Sequence, residues 1–191
     1  MAIQRCDWVG KEEIYINYHD LEWGKPVYED STLFEFLVLE GFQAGLSWIT
    51  ILKKRENFRK AFDNFDYTLI SKYDQKKLDE LLVCDGIIRN KLKINSIVTN
   101  SIHFMNIQKE FDSFSNYIWS YVNYQPIVNG WENINDVPTS IPLSDLISKD
   151  LKQRGFKFVG TTIVYSFLQA IGIVNDHLKK CICYKNLALT K

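Results

Sequence analysis

The chain has 191 residues, 46% of them hydrophobic and 14% aromatic, enough to bury a substantial interior as one domain or as two lobes sharing a core. Lys plus Arg and Asp plus Glu are both 23, so the formal net charge is +0 and no global pull toward nucleic acid or membrane follows; a polyanion site has to be a local patch. The start, MAIQRCDWVGK, lacks the apolar core of a signal peptide, and no apolar run is long enough to span a bilayer, so a cytosolic chain is expected whose four cysteines are thiols or metal ligands rather than disulfides.

Residues 1–28 carry Trp8, Tyr15, Tyr18, Trp23 and Tyr28 but little apolar periodicity, which predicts a wrapped segment with at most a short helix near Ile14–Asp20. Ser31–Phe42 reads as an amphipathic helix with Asp30 or Ser31 as N-cap and Leu33, Phe36 and Leu37 facing the core. Further helices are expected over Leu46–Phe62, Asp66–Lys72, Asp74–Val83, Asn90–Lys109 and Ser113–Val122. A loop-rich stretch from Asn123 to Pro142 follows, and helices over Ser144–Arg154 and Gly160–Ile171 close the series. In the helix over Leu46–Phe62, Lys53, Lys54, Arg55 and Arg59 form the polar side. Strand-like alternation is nearly absent, so the fold class is all-α.

Glu40 stands out because it falls on an apolar stripe, four residues after Phe36 and three after Leu37. A carboxylate there costs several kcal/mol, very roughly, unless something compensates it. Gly41 and Gly45 then loosen the backbone, and Trp48 offers a flat ring. Together they would suit a pocket for a flat, proton-donating or cationic ligand. On spacing alone, a rim glutamate capping a neighbouring helix is the plainer reading.

Three other groupings carry possible chemistry. Cys6 and His19 near the start, with His177 and Cys181 four apart near the end, offer two thiolates and two imidazoles, a set that suits structural tetrahedral zinc. The spacing fits no common finger pattern and by itself favours two buried cysteines and two ordinary histidines; Cys183 is a competing ligand. Leu81 to Ile94 reads as a helix, a tight turn with Gly86 and a second helix, where backbone amides beside Arg89, Lys91 and Lys93 would bind a phosphate. A plain αα-corner with a solvated basic face explains it equally well. Lys149, Lys152, Arg154 and Lys157 precede Gly160-Thr161, a second phosphate candidate that more often is only a helix end. There is no GxGxxG, Walker loop or HExxH, and Ser47 in GLSWI lacks the second glycine of a nucleophile elbow.

These pieces together resemble the bacterial DNA-3-methyladenine glycosylase I family, a divergent branch of the helix–hairpin–helix glycosylases. The resemblance rests on RCDWVG at 5–10, YHDLEWG at 18–24, LEGFQAGLSWITILKKREN at 39–57, GIIRNKLKI at 86–94, WSYVNYQP at 119–126, RGFKFVGTTIVYSFLQAIGIVNDH at 154–177 and Cys181. It implies a single glycosylase domain over 1–191, with a zinc-bearing lobe from both termini and a central helical lobe holding the hairpin at 81–94. Position by position, Glu40 matches the glutamate that recognises the base, Tyr18 the tyrosine that bonds it and Trp48 the tryptophan it stacks on. Trp8 and Trp23 match pocket aromatics. Gly45 and Leu46 match the loop that plugs the duplex, and Gly86, Arg89 and Lys91 lie in the DNA-anchoring hairpin, with Lys157 as a further DNA contact. Cys6, His19, His177 and Cys181 match the ligands of a structural Zn2+. The tail after Cys181 departs from the family and is read as variable.

The resemblance also implies the chemistry. The enzyme would hydrolyse the N-glycosidic bond of 3-methyladenine in alkylated double-stranded DNA with water as nucleophile. It would release the free base, use no lysine Schiff base and cut no strand. A monomer in the bacterial cytoplasm, without membrane contact, is expected. The rival expectations are a non-catalytic binder of alkylated DNA that uses the same pocket, and a helical scaffold with a structural metal.

Overall fold

The structure is a computed structural model that describes residues 3–184; of the tail after Cys181 that was expected to vary, residues 185–191 lie outside the described residues. In chain order the helices are α1 (Glu13–Leu21), α2 (Asp30–Gln43), α3 (Trp48–Ala61), α4 (Tyr67–Ile70), α5 (Gln75–Leu82), α6 (Lys91–Phe111), α7 (Phe114–Ser120), α8 (Pro142–Gln153) and α9 (Thr161–Ala170). No helix among the described residues is long and apolar enough to cross a membrane.

The centre is α2. Every residue from Leu33 to Phe42 is buried, so this helix is enclosed on all sides rather than laid on a core by one face. It packs on α9, α3, α6 and α7. Its start differs from expectation. Glu29, not Asp30 or Ser31, is the N-cap and accepts from the Thr32 amide at 2.9 Å. Asp30 is drawn away to another helix, where its carboxylate accepts from the Phe114 and Ser115 amides at 2.9 and 2.8 Å and so caps α7. Its end differs as well. The helix runs through Gly41, where α2 presses against Phe158: a Cβ on Gly41 would stand 3.4 Å from the Phe158 Cβ. The chain turns only at Gly45, in the left-handed region at φ +83°, so the segment before Trp48 stays outside α3.

The expected polar face of α3 is partly internal. Arg55 is buried and donates to Glu35 of α2 at 2.5 Å and to Glu22 at 2.6 Å; Arg59 reaches Glu35 at 2.8 Å. These ion pairs clamp α3 to α2. From α5 the chain turns over 83–90 into α6, and Gly86 of this turn sits so close to α3 that an added Cβ would meet Asn57 at 3.0 Å.

The two ends of the chain meet. The Gly24 amide donates to the Gln169 carbonyl at 3.1 Å, Val27 to Ile171 at 3.0 Å and Ile182 to Gln4 at 2.9 Å. Gly172, at φ +74°, has no room for a side chain: a Cβ there would fall 2.3 Å from the Lys25 carbonyl carbon. One pairing falls outside the all-α expectation. Two-residue strands β1 (Ile127–Val128) and β2 (Val174–Asn175) run parallel and tie the loop after α7 to the segment after α9. Strands this short have no alternation to read.

Candidate active site

Where the N-terminal wrap, the C-terminal half of α2, the start of α3 and α9 converge, they enclose a cavity of about 310 Å³. That is the lower end of ligand cavities, roughly 300–1,000 Å³, and suits one small heterocycle. Trp8, Tyr18, Trp23, Glu40 and Trp48 all line it. The Trp48 and Tyr18 rings tilt toward each other with centroids 5.4 Å apart, and Trp8 meets Trp23 edge-on at 5.0 Å. The wrap supplies aromatics because α1 turns the Tyr18 side chain inward while the turn at Gly24 returns Trp23 against it.

Glu40 enters this cavity from a helix that has no solvent side. It is 3% exposed, and burial alone pushes its carboxyl up from an ordinary 4.5 to about 8. No described residue donates a hydrogen bond to it or balances its charge, which is why nothing offsets the burial. In the same wall the Trp48 indole N–H is buried without a partner. Buried polar groups are paired almost everywhere else in proteins. A carboxyl left without a partner in an aromatic cavity is matched by a flat ligand that donates hydrogen bonds and, beside a carboxylate, carries a positive charge. Burial, and then the Glu40 charge, push the Tyr18 hydroxyl well above its usual range and keep it neutral.

Some of the lining is not signalled by spacing. Tyr15 and Gln43 line the cavity, as do Thr162, Tyr165, Ser166 and Gln169 of α9 and the loop from Ile134 to Thr139. Asp176 ties the segment before that loop to α9: it accepts from Asn129 at 2.7 Å, Trp131 at 2.6 Å and Gln169 at 2.7 Å, and from the Tyr165 hydroxyl. Asp176 stands beside His177 in NDH, a weak hint.

Cys6, His19, His177 and Cys181 come together although Cys6 and His177 are 171 positions apart in the chain. All four are buried, and their ligand atoms lie within 4.8 Å of one another. The Cys181 Sγ stands 3.4 Å from His19 Nε2 and 3.6 Å from His177 Nδ1, and the Cys6 Sγ is 3.6 Å from that same Nδ1. Tetrahedral zinc with Zn–S near 2.3 Å and Zn–N near 2.0–2.1 Å requires S···N edges of about 3.6 Å. The outer nitrogens are committed elsewhere, as metal-binding imidazoles require: His19 Nδ1 to Asp20 at 2.7 Å and His177 Nε2 to the Trp23 carbonyl at 3.2 Å. Arg5 in turn grips Asp20 at 2.7 Å. The residues fit a metal ion. Cys183, the competing ligand, lies 3.9 Å from His19 Nδ1, on the side already taken by Asp20, and outside the set of four.

The other sequence candidates lie outside the cavity. Gly45 and Leu46 form the exposed loop between α2 and α3, and Leu46 keeps 39% of its surface in solvent. Gly86, Arg89 and Lys91 lie in or beside the turn before α6; Arg89 pairs with Asp85 at 2.8 Å, and Lys54 donates to the Asp85 and Gly86 carbonyls at 3.3 Å. Lys157 is exposed, with its backbone held by the Asn100 side chain at 2.8 and 3.0 Å. Lys93 departs from expectation. It is not on a basic surface beside the turn but buried, with its ammonium donating to the Phe42 and Ala44 carbonyls at 2.8 and 2.7 Å. These carbonyls end α2, where the helix dipole favours a cation by up to about 2 kcal/mol when partly buried.

The model of the methyladenine glycosylase family matches residues 8–184. The chain belongs to that family. The DNA-3-methyladenine glycosylase 1 of Escherichia coli (strain K12) is 47% identical over 182 residues, 95% of this chain and 97% of that protein. A crystal structure of 3-methyladenine DNA glycosylase I is 49% identical with a TM-score of 0.92, covering 94% of this chain and 99% of that one. A Staphylococcus aureus 3-methyladenine DNA glycosylase I, solved for its recognition of 3-methyladenine, is 38% identical with a TM-score of 0.92, covering 96% and 98%.

Proposed function

We propose that this chain excises 3-methyladenine from alkylated double-stranded DNA by hydrolysing the N-glycosidic bond, releasing the free base and leaving an abasic site. The observation that carries the reading is the unpaired Glu40 carboxyl facing an aromatic cavity. Methylation at N3 gives the attached base a fixed positive charge, and bond cleavage releases it as a neutral molecule. The leaving group therefore needs no acid, and recognition carries the specificity. Extrusion from the duplex costs roughly a few kcal/mol, less for a damaged base. Once inside, the cation draws Glu40 into its ionised form, which accepts a hydrogen bond from the exocyclic amino group. Trp48 stacks on the ring with a cation–π contribution, Tyr18 hydrogen-bonds the base, and Trp8 and Trp23 complete the walls. Neutral adenine would leave Glu40 protonated and gain neither term.

In the same reading, Gly45 and Leu46 fill the gap in the duplex, and the helix–hairpin–helix at 81–94, with Gly86, Arg89, Lys91 and, from a second segment, Lys157, holds the phosphate backbone. Water is the nucleophile; no lysine forms a Schiff base and no strand is cut. Cys6, His19, His177 and Cys181 hold Zn2+ as a closed structural set that fastens the first residues to the last. The protein acts as a monomer in the cytoplasm.

A glycosylase assay on methylated duplex DNA tests the function. Released 3-methyladenine with an alkali-sensitive, uncut backbone is expected. Binding without release would make the chain a damage binder, and neither would make it a scaffold. Elemental analysis of the purified protein tests the metal: one zinc per chain is expected, and a substoichiometric content after careful preparation removes it.

A further inference from the structure

The loop that would plug the duplex and the turn that would hold its backbone are separate in sequence but joined by one buried side chain. We infer that Lys93 is a positioning residue that sets the plug loop from the hairpin helix. At the end of α2 the Gln43 carbonyl is met by a backbone amide, that of Leu46, while the carbonyls of Phe42 and Ala44 on either side of it are left to another partner. Lys93, in the first turn of α6 and 7% exposed, satisfies both. Its ammonium also lies 6.0 Å from the Phe158 ring centre, so its surroundings fix it from a second side. Beyond Ala44 the loop closes on itself: the Leu46 amide donates to the Gln43 carbonyl at 2.7 Å, and the Gln43 side chain returns to the Leu46 carbonyl at 3.4 Å. On the other side, Lys54 of α3 holds the carbonyls of Asp85 and Gly86 in the turn. The two DNA-facing features are thus cross-tied, α6 to the end of α2 and α3 to the turn.

The consequence is specific to paired DNA. A plug gains nothing where no partner strand has been left facing a gap, and Lys93 does not line the cavity that takes the base. Losing the two ammonium bonds frees the loop without touching Glu40 or Trp48. Extrusion from a duplex then becomes slow, while capture of a base that is already accessible stays as it was.

This inference rests on the reading of Gly45 and Leu46 as the plug. The test measures single-turnover release of 3-methyladenine from methylated duplex and from methylated single-stranded DNA. Affinity for free 3-methyladenine is read from tryptophan fluorescence. Lys93→Met, which keeps the length and loses the donors, is expected to slow duplex excision at least tenfold with single-strand excision and free-base affinity within twofold of the parent. Equal losses on both substrates, a weakened free-base affinity, or no loss on the duplex each overturn the role. Lys93→Gln, with its shorter polar end, serves if the Met variant does not fold, and the same three outcomes decide. Leu46→Ala run in parallel separates the two claims. A duplex-selective loss there with none for Lys93→Met leaves the plug and removes Lys93. An unchanged Leu46→Ala removes the plug, and a duplex-selective loss for Lys93→Met would then assign the effect to the hairpin side of the tie.

Discussion

Glu35 and Glu40 sit on the same buried helix, five residues apart, and look alike in the sequence: each is an acid inside an apolar run. Their surroundings are opposite. Glu35 receives Arg55 at 2.5 Å and Arg59 at 2.8 Å from α3, and its charge is spent on holding two helices together. Glu40 faces a cavity, receives nothing from any described residue and is pushed up to about 8. A buried charge that is fully paired is a fastening. One that is left open is a cost the fold carries, and it makes sense only if a ligand offsets it.

The first way to break this comparison is to unpair the fastening. Glu35→Gln should cost about 3 kcal/mol of stability, since one partner of a buried pair is removed and the arginines keep their charge. Affinity for free 3-methyladenine should be unchanged. Urea denaturation and fluorescence titration measure the two. A variant that kept its stability and lost the base would exchange the roles of the two acids.

The converse substitution should stabilise. Because the folded carboxyl of Glu40 sits near 8 against an ordinary 4.5, its burial costs nothing below about pH 4.5, costs progressively more as the pH rises, and reaches its full size near pH 8. At pH 7 the cost is about 3 kcal/mol. Glu40→Gln should therefore raise stability at pH 7 by that order and leave it unchanged near pH 4, while excision collapses. A Glu40→Gln protein no more stable than its parent at pH 7 would mean that the carboxylate is compensated after all. Trp48→Ala comes next in size, with a loss of about 1–3 kcal/mol in affinity for the base, the usual worth of a stacked ring.

How much of this was legible follows from where the determining partner lies. Glu40 can be read from the sequence because it interrupts a local stripe, α2 because its apolar spacing is local, and α5 and α6 because their caps are local too. Arg55 and Lys93 cannot. Each is a cation at a position that looks solvated from its own helix, and each is turned inward by an acceptor on another element: Glu35 and Glu22 for the first, the end of α2 for the second. Asp30 fails for the same reason, since it caps the helix it meets in space rather than the one it begins. The wall from Ile134 to Thr139 carries no periodicity at all. The four Cys and His residues were open to two readings on spacing; the family resemblance singled them out, and the fold brings them within bonding reach.

The pH dependence of capture is the most selective effect. A base methylated at N3 keeps its positive charge at every pH used to assay it, so any pH dependence of its capture belongs to the protein. With Glu40 near 8, the free enzyme at pH 6 holds the carboxyl almost wholly protonated, and a cation that requires the ionised form must first displace that proton. Capture should therefore strengthen by up to about tenfold per pH unit between 6 and 8, about 1.4 kcal/mol each, and level off above. The measurement is kcat/KM for excision across that range with Glu40→Gln alongside. The variant should be slower and flat. A parent profile that is flat below pH 8, or one that rises equally in the variant, would place the titrating group elsewhere, and Glu40 would then belong with Glu35 among the fastenings.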